Sequence, residues 1–303
     1  MTRDSIQGFC LALIAFFWWG LTPLYFKEID AAQPLEVLSH RVVWSVVLLA
    51  VLLLLRKRWP EVQEIFSNPK VWGWLLVSAL LVTINWLIFI WSISNGRLVE
   101  ASLGYYINPL VNVLLGVAVL GERLKVLQAV AVGLAALAVG YLTYVGGEFP
   151  WIALTLGFTF GFYGLIRKRL PVGAQVGLFV ETTMVAPVAI GFLIWGGMKG
   201  ENAFLSLGWD FDLLLMLAGV VTTVPLVCFA AAARRLNYST IGMIQYVGPT
   251  VNLLLATLMF GEAFTSVHAI SFGIIWFAVL LYSGQSLVEM RRNAKQKGAL
   301  TSL

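Results

Sequence analysis

The feature that most constrains this fold is a series of long apolar runs separated by short polar connections. A membrane span needs roughly 20 apolar residues, and the sequence offers ten such runs. They cover residues 6–27, 35–55, 71–93, 101–120, 125–145, 150–167, 174–196, 211–233, 239–260 and 265–287. Each is predicted to be a helix, because hydrocarbon offers no partner to an unpaired backbone N–H or C=O group.

The composition agrees with a membrane protein. Apolar residues make up 60% of the 303 residues and charged residues 12%, whereas soluble domains contain about 25% charged residues. Ten spans would use about 210 residues, which leaves no room for a soluble catalytic domain. The predicted fold class is an all-α membrane protein with ten transmembrane helices.

The positive charges predict the orientation. Of the 20 lysines and arginines, only Lys27, Arg41, Arg97 and Lys199 fall on the side opposite the N-terminus, so 20 − 4 = 16 lie on the N-terminal side. Basic loops stay in the cytoplasm, so both termini are predicted to be cytoplasmic. The net charge of +5 therefore reflects membrane orientation, and we expect no nucleic-acid partner.

An internal repeat relates the two halves of the chain. Several identical residues recur at an offset of 140: Thr83 and Thr223, Phe89 and Phe229, Pro109 and Pro249, Asn112 and Asn252, and Gly121 and Gly261. The predicted repeats are residues 6–145 and 150–287, followed by a basic cytoplasmic tail at 288–303. Each repeat has five spans, an odd number, so the second is threaded in the opposite sense. Inverted repeats are typical of secondary carriers, although a duplication that merely supplied helices would leave the same pattern.

Prolines and polar side chains inside the spans indicate where a solute pathway would run. Pro109 and Pro249 each remove a helical hydrogen bond and are predicted to be local bending points. Polar groups are costly against lipid, so we expect them to face the interior. The predicted pathway residues are Trp19, Asn85, Phe89, Tyr105, Asn108, Tyr163, Thr223, Gln245 and Tyr246. For Asn112 and Asn252, an alternative role is to join neighbouring helices.

Three ionisable residues are candidates for coupling or charge guidance. Glu181 is a carboxylate inside the seventh predicted span and could carry a coupling proton; alternatively, it could be a protonated acid bonded to a neighbouring helix. His40 and Arg41, at the outer end of the second span, could guide an anionic group inward. An interfacial ion pair with nearby Glu36 is the alternative.

No enzymatic motif is present in the sequence. It has no HExxH and no GxxxxGK[ST] pattern, and His40 and His268 are too few for a metal cage. Cys10 and Cys228 lie in apolar runs, which argues against a disulfide framework. We expect no enzymatic activity, no cofactor and no metal, and transport energy would come from a gradient.

Five segments carry a resemblance to a known family: residues 39–45 (SHRVVWS), 85–91 (NWLIFIW), 100–112 (EASLGYYINPLVN), 163–168 (YGLIRK) and 221–226 (VTTVPL). The chain resembles the RarD group of EamA-domain proteins, within the drug/metabolite transporter superfamily. The resemblance implies two inverted EamA repeats in a bacterial-type inner membrane. It also implies a central cavity lined mainly by spans 1, 3, 4, 6, 8 and 9, with spans 5 and 10 at the periphery.

The sequence therefore predicts an inner-membrane secondary transporter, an exporter or permease. Its cargo would be a small organic metabolite or drug-like solute, moved by alternating access, with protons as the candidate coupling ion. Two alternatives stay open. One is a membrane sensor or scaffold with a transporter fold but no turnover, and the other is a passive facilitator.

Overall fold

The computed structural model describes residues 3–121, 126–233, 235–236, 241 and 244–301, and all regular secondary structure within these ranges is helical. The helices are α1 (Arg3–Glu28), α2 (Pro34–Leu55), α3 (Trp59–Phe66), α4 (Pro69–Ser94), α5 (Leu98–Leu120), α6 (Val126–Gly146), α7 (Trp151–Arg169), α8 (Ala174–Lys199), α9 (Trp209–Ala233), α10 (Val247–Leu254) and α11 (Ser266–Thr301). A π-helical turn, Leu255–Met259, continues α10.

Among the described residues, eight helices are long and apolar enough to cross a membrane: α1, α2, α4, α5, α6, α8, α9 and the first part of α11. The prediction of an all-α membrane protein is confirmed at this level. The other two predicted spans correspond to α7 and α10. The 19 residues of α7 end on three basic side chains, Arg167, Lys168 and Arg169, which lowers its mean hydropathy.

The ninth predicted span differs from the expectation in length and in the place of its proline. The apolar helix covers only Val247–Met259, and residues 237–240, 242 and 243 of that prediction lie outside the described part. Pro249 is the third residue of α10, preceded by a turn at Gln245 and Tyr246. The Gln245 carbonyl, four residues before Pro249, accepts the N–H of Gly248 at 3.3 Å. Pro249 therefore does not leave this carbonyl unpaired. Pro109, in contrast, lies inside the continuous helix α5.

Two elements were not anticipated. The connection after α2 contains the short helix α3, which begins with proline at its second position and buries Val62 and Ile65. At the other end, α11 continues as a helix through residue 301. The predicted boundary at 287/288 between span and tail is thus not a break in secondary structure.

Glycines permit the closest helix crossings. A Cβ added to Gly104 on α5 would lie 2.7 Å from the carbonyl oxygen of Ala153 on α7. At Gly219 on α9, it would lie 2.5 Å from the backbone of Trp44 on α2. Helices α6 and α11 pack against each other through small residues such as Ala131 and Ala278. The close α5–α7 crossing and the packing of α4 against α7 bring these three helices together around the polar side chains described next.

Candidate functional site

Asn85 joins three helices inside the membrane-spanning region. Its side chain on α4 is buried, and its amide nitrogen donates to the Leu156 carbonyl (3.0 Å) and to Thr159 Oγ1 (2.9 Å), both on α7. The hydroxyl of Tyr105 on α5 donates to the Asn85 amide oxygen at 3.2 Å. One amide thus satisfies its donors and its acceptor, which fixes its orientation.

Asn108 makes a second link between α5 and α7. Its amide nitrogen donates to the Gly157 carbonyl at 3.1 Å, and its side chain is buried. Asn112, one turn further along, donates to the Asn108 amide oxygen at 3.2 Å and is exposed. Among the described residues, the side chain of Asn112 therefore makes its hydrogen bond within its own helix.

A group of aromatic rings surrounds Arg41, and it includes Tyr105, the hydrogen-bond partner of Asn85. The guanidinium carbon lies 4.1 Å from the centre of the Trp86 ring and 5.7 Å from that of Phe26. Phe89 packs edge-on against Phe26 and Tyr105, with ring centres 6.3 and 5.6 Å apart. We call this set the Arg41 cluster; it consists of Phe26, Arg41, Asn85, Trp86, Phe89 and Tyr105.

Arg41 has no anionic partner there. The residue is 8% exposed, and its Nε is buried without a hydrogen-bond partner. Across residues 3–121, 126–233, 235–236, 241 and 244–301, no ion pair or hydrogen bond involves its guanidinium. Glu36 is occupied elsewhere, because its carboxylate accepts the backbone N–H groups of Ala203 (3.0 Å) and Phe204 (2.9 Å). The ion pair with Glu36, considered from the sequence, is therefore not formed.

His40 lies next to Arg41 in the N-terminal part of α2 but contacts different partners. Its ring lies 4.5 Å from that of Phe204, and its Nδ1 accepts the indole N–H of Trp44 at 3.3 Å. The ring is buried, so His40 is placed as a packing residue beside the loop that Glu36 also holds.

Glu181 lies buried on α8 among polar partners from α4 and α7. Ser78 on α4 donates its hydroxyl to one carboxylate oxygen at 2.6 Å. The Arg167 guanidinium on α7 lies 3.7 Å from the same oxygen, and Tyr163 is adjacent. Glu181 thus has a cation beside it. Arg41, in contrast, has no anion beside it among the described residues.

The remaining predicted pathway residues lie in other places. Trp19 on α1 packs against Phe16 and Phe229, with ring centres 5.5 and 5.8 Å away. Tyr246 stacks on Tyr106 at 6.1 Å with an interplanar angle of 16°. Thr223 is buried on α9, and Gln245 lies in the turn before α10. The structure therefore brings Asn85, Phe89 and Tyr105 together with Arg41 and leaves the other predicted residues in separate groups.

Several residues that contact these groups were missed from the sequence, among them Phe26, Ser78, Thr159 and Arg167. One signal was available. Arg41 and Glu181 differ by 140, the offset of the repeat, and each is the eighth residue of its helix. Charged residues at equivalent positions predict equivalent neighbours on the preceding span, here Phe26 for Arg41 and Arg167 for Glu181.

Two other features of the described residues bear on function. No group of three or more His, Cys, Asp or Glu side chains there could hold a metal. A surface cleft of about 460 Å³ lies between α3 and α8, lined by Trp59, Val62, Gln63, Phe66, Ser67, Phe179 and Thr183. None of the predicted pathway residues lines this cleft, and its walls are mainly apolar.

The long apolar helices with buried polar groups between them define a multi-pass membrane protein. The model of the EamA-like transporter family matches residues 6–144 and again residues 150–284. The chain belongs to this family, and through it to the drug/metabolite transporter superfamily.

The relatives are bacterial proteins of the same length. The chain is 52% identical to an uncharacterized transporter of Vibrio cholerae, over 94% of each chain. It is 45% identical to the protein RarD of Salmonella typhimurium, over 96% of this chain and 99% of that one. It is also 43% identical to RarD of Escherichia coli, over 97% and 99%. The resemblance to the RarD group is confirmed.

A solved crystal structure shares the fold. It superposes with a TM-score of 0.59 over 93% of this chain and 97% of its own, at 18% sequence identity. At that identity the likeness concerns the helical arrangement alone.

Proposed function

We propose that this protein is a secondary transporter of the bacterial inner membrane that moves a small organic solute by alternating access. In this proposal, ten helices form two inverted five-helix halves, residues 6–145 and 150–287, with both termini and the 288–303 tail in the cytoplasm. Membership of a transporter family supports the transport role. The two family matches meet near residues 145–149, where the proposed halves also meet.

The observation that carries the proposal is a pair of equivalent helix crossings. A Cβ added to Gly20 on α1 would lie 2.7 Å from Val251 on α10, and one added to Gly161 on α7 would lie 3.0 Å from Val111 on α5. The valines differ by 140 and the glycines by 141. Each crossing joins one half to the other at the same relative position, as expected for two halves related by a pseudo-two-fold axis.

The stacked tyrosines support such an axis independently. Tyr106 and Tyr246 also differ by 140, and their rings lie nearly parallel at 6.1 Å. A residue can contact its own repeat equivalent only near the axis that relates the halves. Inverted halves let inward-open and outward-open states resemble each other, and solutes then bind near the midplane where the halves meet.

The two short helices are compatible with ten crossings. With a rise of 1.5 Å per residue, the 19 residues of α7 span about 28 Å, close to the hydrocarbon thickness of about 30 Å. In the proposal, the ninth span is a broken helix with its turn at Gln245 and Tyr246, and broken helices beside the midplane form solute sites in other carriers. In the proposal, Pro109 and Pro249 are the local bending points of the two equivalent spans.

The pathway is assigned to the nine predicted residues, with Asn85, Phe89 and Tyr105 of the Arg41 cluster at its centre. Asn108 and Tyr163 extend it along α5 and α7, whereas Trp19, Thr223, Gln245 and Tyr246 extend it through α1, α9 and the turn before α10. Glu181 is the proposed proton-coupling group, because it is a buried carboxylate beside Tyr163, one of the pathway residues.

Efflux from proteoliposomes tests the transport role. Vesicles containing the purified protein are loaded with a defined mixture of small metabolites, and the external medium is analysed by mass spectrometry under an imposed pH gradient. We expect at least one solute to leave faster than from protein-free vesicles. Binding of a solute without its release would favour a sensor or scaffold. Release that never proceeds against a concentration gradient would favour a passive facilitator.

Two variants test the pathway assignment. Asn85→Ala and Gln245→Ala are each expected to reduce the flux at equal protein content. The matched control is Asn95→Ala, which removes the same amide from an exposed position, where it donates to the Trp91 carbonyl of its own helix. Full flux in both test variants would contradict the assignment.

A further inference from the structure

We propose that the Arg41 cluster binds the anionic group of a small organic anion, whose apolar or aromatic body lies against Trp86 and Phe89. The ligand class is an organic carboxylate or phosphate. That such an anion is carried across the membrane rests on the transport function proposed above; that it binds at Arg41 does not.

The two charged residues at equivalent positions, Arg41 and Glu181, differ in their partners. Glu181 is accompanied by Arg167 from the preceding span, 3.7 Å away, and by the Ser78 hydroxyl. The residue equivalent to Arg167 in the first half, at the offset of 141 seen for the glycine crossings, is Phe26. Phe26 contacts Arg41 with its ring and supplies no charge. The first half thus keeps the buried ion and lacks its counter-ion.

A buried cation without a partner is costly, which makes the missing anion informative. Removing an ion from water costs several kcal/mol, and attraction to an opposite charge normally compensates for this. A ring face attracts a guanidinium, but by less than a charge does. Stacking on Trp86 also leaves the edge of the guanidinium free, with N–H groups in the fork geometry that matches carboxylates and phosphates.

The surroundings contain hydroxyl and amide groups but no described carboxylate that competes for Arg41. Glu36 is held by the backbone of Ala203 and Phe204. The titratable groups near the guanidinium are the hydroxyls of Tyr25 and Tyr105. Tyr25 donates its hydroxyl to the Leu214 carbonyl at 2.7 Å. An anion at Arg41 would therefore meet no opposing negative charge from the described residues.

The competing explanation is that Arg41 only pins α2 to α4 through its contact with Trp86. The two explanations differ for the ligand-free protein. If Arg41 awaits an anion, Arg41→Met relieves an uncompensated charge, and the ligand-free protein should melt at a higher temperature than the wild type. If Arg41 is a structural pin, the same variant should melt at a lower temperature.

Direct binding to purified protein in nanodiscs tests the site. The probes share one ring and differ in their head group: benzoate and phenyl phosphate as anions, benzamide as the neutral analogue and benzylamine as the cation. Titration calorimetry and indole fluorescence report binding. We expect at least one of the two anions to bind, at least about tenfold more tightly than benzamide, with no detectable binding of benzylamine. Whichever of benzoate and phenyl phosphate binds more tightly identifies the head group.

The variants complete the experiment. Arg41→Gln is expected to weaken anion binding at least about tenfold, while Arg97→Gln is the matched control, since Arg97 is paired with Glu100 and Glu148. Should Arg41→Gln fail to fold, Arg41→Lys keeps the charge and is expected to bind anions more weakly but with the same preference over benzamide. Equal binding of benzoate and benzamide, unchanged anion binding by the Arg41 variants, or no binding of either anion would overturn the proposal. Anion binding without flux in proteoliposomes would instead overturn the transport function and leave the site in place.

Discussion

Single amides and charges determine how the interior of this protein is organised. The Asn85 side chain is satisfied on both sides, through Leu156, Thr159 and Tyr105. Replacing one member of such a network leaves its buried partners unsatisfied, at a cost of about 1–3 kcal/mol. The position therefore combines a structural role with its proposed place on the pathway.

The stability prediction follows directly. Asn85→Leu is expected to lower the free energy of unfolding by about 1–3 kcal/mol, seen as a lower melting temperature in detergent. Asn95→Leu changes the same side chain at an exposed position, where it donates to the Trp91 carbonyl of its own helix, and should leave the melting temperature nearly unchanged. Equal melting temperatures for the wild type and Asn85→Leu would show that the observed bonds add no stability.

Glu181 carries the prediction about coupling. Glu181→Gln keeps the shape of the side chain and its bond to Ser78 but cannot release a proton. We expect the variant to lose the pH dependence of solute flux while it still inserts into the membrane. Glu148→Gln, at an exposed position between α6 and α7, is the control. Flux that responds to pH as in the wild type would remove Glu181 from the coupling step.

The sequence located these polar residues but not their partners. Asn85 and Glu181 could be found because amides and carboxylates are rare in apolar runs. Thr159 could not, since it approaches Asn85 from a helix 74 residues further along the chain. Arg167 lies only 14 residues before Glu181, but it stands at the basic end of α7 and was counted among the charges outside the span. Arg41 was found as a charge, whereas its lack of a counter-ion depends on where Glu36 points.

At the scale of elements, glycines set how closely helices cross. Gly104 faces the Ala153 carbonyl, whereas no described atom lies within 4 Å of a Cβ added to Gly164 on α7. Gly104→Ala is expected to lower stability by about 1–3 kcal/mol, because a backbone atom cannot move aside easily. Gly164→Ala should instead raise it by about 0.5–1 kcal/mol, as in an open helix interior. Thermal unfolding of both variants measures the difference, and equal effects would contradict the crossing.

Elements were predictable where a long apolar run sufficed. Eight of the helices follow the predicted runs to within three residues at each end, because hydrocarbon requires continuous helix there. The short helix α3 was missed because eight residues are too few for a span. The turn before α10 was missed because the apolar run continues through it, and nothing in the run marks the residue at which the helix begins.

At the scale of the whole molecule, the surface is that of a protein in lipid. Large apolar side chains such as Leu137, Val188 and Leu280 are exposed on α6, α8 and α11. The asymmetry of the basic residues predicts that both ends of the chain face the cytoplasm. A fluorescent protein that matures only in the cytoplasm, fused in turn to each terminus, should be bright in both fusions. One dark fusion at normal expression would mean an odd number of crossings.

The unpaired guanidinium has an electrical consequence. An empty carrier that shifts Arg41 between the two membrane faces moves a positive charge through the transmembrane potential, worth about 2.3 kcal/mol per 100 mV for a full crossing. Glu181 has the opposite charge of Arg167 beside it. Once an anion binds to Arg41, the loaded carrier moves no net charge at that site. At Arg41, the voltage of a living cell would then act on the empty protein alone, drawing the unpaired guanidinium inward between turnovers.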